Sequence, residues 1–217
     1  MHIAEGVLPP VILASCALLS AGGVCIGLKK LDYDRIMTTA ILSASFFVAS
    51  LIHIPIGPVS GHLILNGLLG LMLGWVAFPA ILVALTLQAI LFQFGGITSL
   101  GVNTLNMALP PVLCFYIFRP MLSKGTFSLR MAAFLCGMSA VAFSALLTSG
   151  TLALGGDSFL NSAKILLISS VPVMVIEGLI TAVVVGFLAK VSPQIFDFKI
   201  TAPDPVMAAQ TSSSATE

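Results

Sequence analysis

Apolar residues run through this chain in long stretches, and the polar residues fall between them in short clusters. A first stretch, from about Val7 to Leu28, stops at Lys29-Lys30, with Asp32, Asp34 and Arg35 in the loop beyond. A second runs from about Ile36 to Ile54 and ends at the breaker Pro55-Ile56-Gly57-Pro58. A third starts near Gly61-His62 and reaches Trp75 or Phe78; after a tight turn at Pro79, a fourth continues to about Phe94. A glycine-rich loop, Gly95 to Gly101, separates it from a fifth stretch, about Asn103 to Phe118. Arg119, Pro120, Lys124 and Arg130 fill the next gap, and a sixth stretch runs from about Met131 to Leu154. Beyond Gly155-Gly156-Asp157 a seventh extends from about Ile165 to Ala189. Runs of this kind cross a bilayer as helices. The pattern predicts an all-α polytopic membrane protein with seven transmembrane helices in one domain, residues 1–198. The rest, 199–217, is rich in Ser, Thr, Ala and Pro and is expected to be a disordered cytoplasmic tail.

Composition agrees. Of 217 residues 58% are hydrophobic and 8% charged, with a mean hydropathy of +1.13, where a soluble domain carries roughly a quarter charged residues. The net charge of +1 excludes a nucleic-acid partner and leaves lipid as the surrounding medium. Cys16, Cys25, Cys114 and Cys136 all lie in apolar stretches without C-x-x-C spacing and read as small buried residues rather than disulfides or a zinc site. No basic residue precedes the first stretch and no small-x-small site follows it, so it does not read as a signal peptide.

The basic residues set the expected orientation. With the N-terminus outside, the inner loops hold Lys29, Lys30, Arg35, Arg119, Lys124, Arg130, Lys190 and Lys199, leaving only Lys164 outside. That is the positive-inside arrangement, and it puts the C-terminus in the cytoplasm.

This topology gathers the three histidines, His2, His53 and His62, at the outer face. Position 2 is special. The α-amine of Met1, the backbone nitrogen of His2 and its imidazole can close two fused chelate rings around one ion, supplying three nitrogens in a plane. Tetragonal nitrogen coordination suits Ni(II), Cu(II) or planar Co(II) better than tetrahedral zinc. The Pro- and Gly-rich segment before His62 can fold inward to present that imidazole, since irregular backbone at membrane depth is tolerated where it lines a cavity. Thr98, Ser99, Asn103 and Asn106 offer hydroxyls and amides around the site. Glu5 is placed to accept the other imidazole N–H of His2 and fix its tautomer. Glu177 lies well inside the last stretch, where a carboxylate is costly; whether it orders helices or binds something is open at this level.

Met1-His2-Ile3-x-Glu5-Gly6, Gly57-Pro58-Val59-Ser60-Gly61-His62-Leu63 and Phe94-Gly95-Gly96-Ile97-Thr98-x-Leu100-Gly101-x-Asn103 resemble the substrate-binding membrane subunit, or S component, of energy-coupling-factor ABC transporters for cobalt and nickel, the CbiM/NikM group. The resemblance covers nearly all of the chain except the tail. It implies an extra N-terminal helix ahead of a six-helix S-component core. It also implies a roughly square-planar metal site made by Met1, His2 and His62; His53 has no place in that pattern and is read as a neighbour. The energy would come from a transmembrane T component and two cytoplasmic ATPases in a bacterial inner membrane, with room for a small accessory membrane subunit. This chain has no G-x-x-x-x-G-K-[ST] loop and reads as no enzyme. Ala40 and Ala44 in the second stretch match the small-residue stripe by which S components meet the T component, since residues of this size let helices approach closely in lipid. The transported ion would be Co2+, with Ni2+ the alternative; no resident cofactor is implied.

Two rival readings carry less. An intramembrane metalloenzyme would need an H-E-x-x-H or comparable helical pair, which is missing. A stand-alone secondary transporter would show inverted repeats and paired broken helices, and neither is visible.

Overall fold

The computed structural model describes residues 2–56, 59–123 and 128–196. Met1, Lys124, Lys199 and the expected tail lie outside the described residues.

Among these residues seven α-helices and one β-hairpin follow in chain order: α1 (Pro10–Lys30), α2 (Ile36–Ser50), β1 (His53–Ile56), β2 (Val59–His62), α3 (Asn66–Leu73), α4 (Ala77–Phe92), α5 (Leu100–Ser123), α6 (Leu129–Ala153) and α7 (Leu160–Val191). The polytopic, dominantly helical character expected from the sequence is what the structure shows. Among the described residues five helical runs are long and apolar enough to cross a membrane: Pro10–Lys30, Asn66–Phe92, Leu100–Leu122, Leu129–Ala153 and Asp157–Val191.

The expected second and third spans need correction. Helix α2 stops at Ser50, and the chain turns into an antiparallel hairpin instead of continuing to Ile54. Pro55 has no N–H to give a helix and biases Ile54 toward extended backbone. The third helix starts at Asn66 rather than at His62, and its eight residues rise only about 12 Å, well short of a bilayer core. It ends at Gly74, whose φ of 53° and ψ of −123° no helix can pass through. A 3₁₀ turn, Gly74–Val76, leads into α4. Pro79 therefore sits in the first turn of α4, where its missing N–H costs nothing, and does not make the turn itself.

All eight residues of α3 are buried. The helix packs on α5, α6 and α7 by close backbone approach: a Cβ on Gly70 would lie 2.7 Å from the Pro111 carbonyl, and one on Gly67 would collide with Gly137 Cα. Helix α1 packs at the rim, where the hydroxyl of Ser20 donates to the Gly101 carbonyl at 2.6 Å. Its other face leaves Val11, Leu18 and Leu19 exposed, as lipid-facing residues are. The four cysteines are free thiols; Cys114 and Cys136 are buried as expected, whereas Cys16 is half-buried and Cys25 exposed, because α1 turns so much of its surface outward.

The bundle has two distinct ends. One gathers Lys30 over the Trp75 ring at 5.9 Å, Trp75 donating to the Tyr116 hydroxyl at 2.9 Å, and Arg119 over Phe115 at 4.9 Å. Cations and amphipathic rings together are the signature of a membrane interface. The other end carries the N-terminal segment, the hairpin and the loop after α4.

Candidate metal site

The N-terminal segment lies as a strap across this second end. Ile3, 3% exposed, and Leu8 are buried against Val102 of α5. Asn103 fixes the strap by its backbone: its Oδ1 accepts the Ile3 N–H at 2.9 Å and its Nδ2 donates to the Ile3 carbonyl at 3.1 Å. The same amide group donates to Ser99 Oγ at 3.3 Å, which holds the side chain in that orientation. Burying both polar groups of one residue requires such partners.

The loop from Gln93 to Ser99 makes room for the strap. Gly95 and Gly96 have φ of 79° and 113°, a region open to glycine and strained for other residues. A Cβ on Gly95 would come within 2.6 Å of Asn103 Nδ2, and one on Gly96 would collide with Glu5 Cγ. Glu5 Oε1 accepts the N–H of Thr98 at 2.9 Å, and hydrogen bonds from the Thr98 backbone and hydroxyl hold this carboxyl below its ordinary range. This bond ties strap to loop.

His62 reaches the same place from the hairpin. Its backbone pairs with His53 in register, and the ladder continues with the Leu63 N–H donating to Ile52 at 3.3 Å. The side chain of His53 lies outside the described residues. The imidazole of His62, in a residue 6% exposed, stacks on that of His2 with centroids 5.0 Å apart and planes 13° from parallel. Phe94 stacks beyond His2 at 6.0 Å. Both ring nitrogens of His2 are buried. His62 Nδ1 lies 3.3 Å from the Leu63 carbonyl.

The remaining predicted residues are placed as follows. Thr98 and Ser99 serve the loop and strap through the bonds above. Asn106 is buried and accepts from Thr151 of α6 at 3.3 Å. Ala40 and Ala44 lie on the exposed side of α2, beside the exposed Met37, Ile41 and Val48. Sequence reasoning missed the part played by Glu177. Its Oε1 accepts the N–H groups of Ile64 and, at 2.8 Å, of Leu65. A carboxylate on an apolar stretch flagged the residue, but nothing in the sequence named its partners.

Chemically, the site brings the imidazoles of His2 and His62 together, with ring centroids 5.0 Å apart. Among the described residues no group of three His, Cys, Asp or Glu side chains converges. An ion held here would need backbone or terminal nitrogens to complete its coordination. Fold and site together define a multi-pass membrane protein with two histidines stacked beneath an N-terminal strap at one end of its helical bundle.

Residues 2–195 match the family model described as the cobalt uptake substrate-specific transmembrane region, and the chain belongs to this family. It is thus a substrate-specific membrane component of cobalt and nickel transport. It is 42% identical over 203 residues to a candidate metal transport protein of Haemophilus influenzae, covering 91% of this chain and 97% of that one. It is 30% identical over 211 residues to a candidate fused nickel transport protein NikMN of Archaeoglobus fulgidus, covering 92% and 69%. A solved structure of a transition metal transporter matches with a TM-score of 0.78 at 27% identity, over 100% of both chains.

Proposed function

We propose that this chain is the ion-capturing S component of an ATP-driven importer of Co2+, with Ni2+ as the alternative cargo. The observation that carries the reading is the His2–His62 stack, held on one side by the strap and on the other by the hairpin. The ion arrives from outside and is bound by the amine of Met1, the amide and imidazole nitrogens of His2, and an imidazole nitrogen of His62. Such nitrogens must shed protons to bind, so capture releases protons and weakens in acid. A planar nitrogen set also explains why cobalt and nickel, rather than magnesium or calcium, would be retained.

The strap end faces outward and the Lys30–Trp75–Arg119 end faces the cytoplasm, in keeping with the positive-inside rule. The exposed face of α2 with Ala40 and Ala44 meets the transmembrane T component, and two cytoplasmic ATPases supply the energy. The decisive experiment is metal analysis of the purified protein after equal Co2+ and Ni2+ are offered together. One ion per chain is expected in the parent. His62→Ala removes a direct ligand and should cost affinity by orders of magnitude, whereas His53→Ala should cost much less. Equal losses from the two would move the site elsewhere.

A further inference from the structure

Between His62 and the start of α3 the chain makes a turn that the helix itself does not stabilise. Leu65 precedes the first helical residue with φ of 52° and ψ of 25°, and its side chain makes no capping bond. Leu65 and Gln93 are the non-glycine residues with positive φ among the described residues; one follows His62 and the other precedes Phe94. A left-handed leucine persists only where its surroundings over-determine it. Here they do so from inside the bundle. The N–H groups of Ile64 and Leu65 are both received by Glu177 Oε1. Asn66 then donates to Ser144 of α6 at 2.8 Å, and Gly67 abuts Gly137. Glu177 is itself fully buried, and its position near the middle of α7 fixes it relative to the bundle.

We infer that Glu177 is the positioning residue of His62: by receiving two consecutive backbone N–H groups, it sets the point at which β2 leaves the bundle and thereby the reach of the His62 imidazole toward His2. This deepens the proposed function and rests on His62 being a ligand. Groups that orient a ligand without touching the ion typically change metal affinity by about 10–100-fold. Only one oxygen of the carboxylate makes these bonds, and Oε2 has no hydrogen-bond partner among the described residues. A glutamine, whose Oε1 accepts in the same place, should therefore reproduce the contact.

The test uses the full chain in detergent with Ni(II), reading affinity together with the d–d absorption band, which reports the ligand field and not stability. Glu177→Gln is expected to bind nearly as the parent does, with the band unmoved. Glu177→Leu, and Glu177→Asp with the acceptor one methylene short of the turn, are expected to lose about tenfold or more with a shifted band. Metal-free melting temperatures are recorded beside them, and the aspartate variant keeps the carboxyl group should leucine fail to fold. A parental band and affinity in Glu177→Asp, or equal losses in Glu177→Gln and Glu177→Leu, would overturn the inference. His62→Ala separates the two claims. If it binds Ni(II) as the parent does, the site assignment falls and this inference with it. If it loses the band while Glu177→Asp retains it, only the positioning role falls.

Discussion

His2 and His62 meet ring to ring, yet the segments carrying them are fixed by opposite means. The strap is tied at its margins by loop and helix-end groups: Asn103 in the first turn of α5 grips Ile3, Thr98 binds Glu5, and two glycines leave the space. The His62 segment is held from within by a buried carboxylate in α7 and by backbone packing of α3 against α6. The strap's buried apolar contacts, Ile3 and Leu8 with Val102, form a cluster of their own apart from the main core.

Four perturbations test that contrast, and the largest effect should come from one added residue ahead of Met1. It leaves every side chain in place but moves the terminal amine out of the register that the proposed chelate needs. Near-complete loss of bound metal is expected by elemental analysis, with the melting temperature of the metal-free bundle unchanged. Retained stoichiometry would remove Met1 from the ligand set.

Asn103→Ala should come next. It strands a buried N–H and a buried carbonyl at Ile3, at about 1–3 kcal/mol for each unsatisfied group, enough to lower metal affinity roughly 10–100-fold. Isothermal titration measures this, and protease accessibility of the strap should rise while α3 stays protected. If α3 loosens as well, the two segments are not independently held.

Gly96→Ala places a Cβ against Glu5 at a φ of 113°. A residue so strained costs about 1–3 kcal/mol, so a loss of about tenfold is expected, relieved in part when Glu5 is shortened to Ala. Additive losses in the double variant would show that the glycine serves only its own backbone.

The smallest effect is that of pH on the Glu5–Thr98 tie. Its hydrogen bonds lower the folded pKa of Glu5, so the tie contributes fully above the ordinary glutamate value of about 4.3. It is lost as pH falls through the lower folded value. In the metal-free protein the Thr98 amide resonance should move with this acid transition, and Glu5→Gln should abolish the movement.

The membrane class, the helical character and the candidate imidazoles were legible in the sequence for physical reasons. Long apolar runs have few places to go other than a bilayer, and there the backbone must satisfy itself as helix. The glycines at 95 and 96 announced a loop, and His2 drew notice by its position alone. What misled was the assumption that an apolar run is helical throughout. Ile54 and Leu63 to Leu65 extend the flanking apolar runs up to the Pro- and Gly-rich break, yet they belong to the hairpin, its continuation and a left-handed turn.

Only the tertiary structure decided who holds whom. Asn103 meets Ile3 across 100 residues of chain, and Glu177 meets Leu65 across 112. Neither pairing has a local signature, because each depends on which helices become neighbours once lipid-facing and buried faces are sorted. A buried carboxylate must find donors wherever packing leaves them unpaired, and here packing left them at the turn that carries His62.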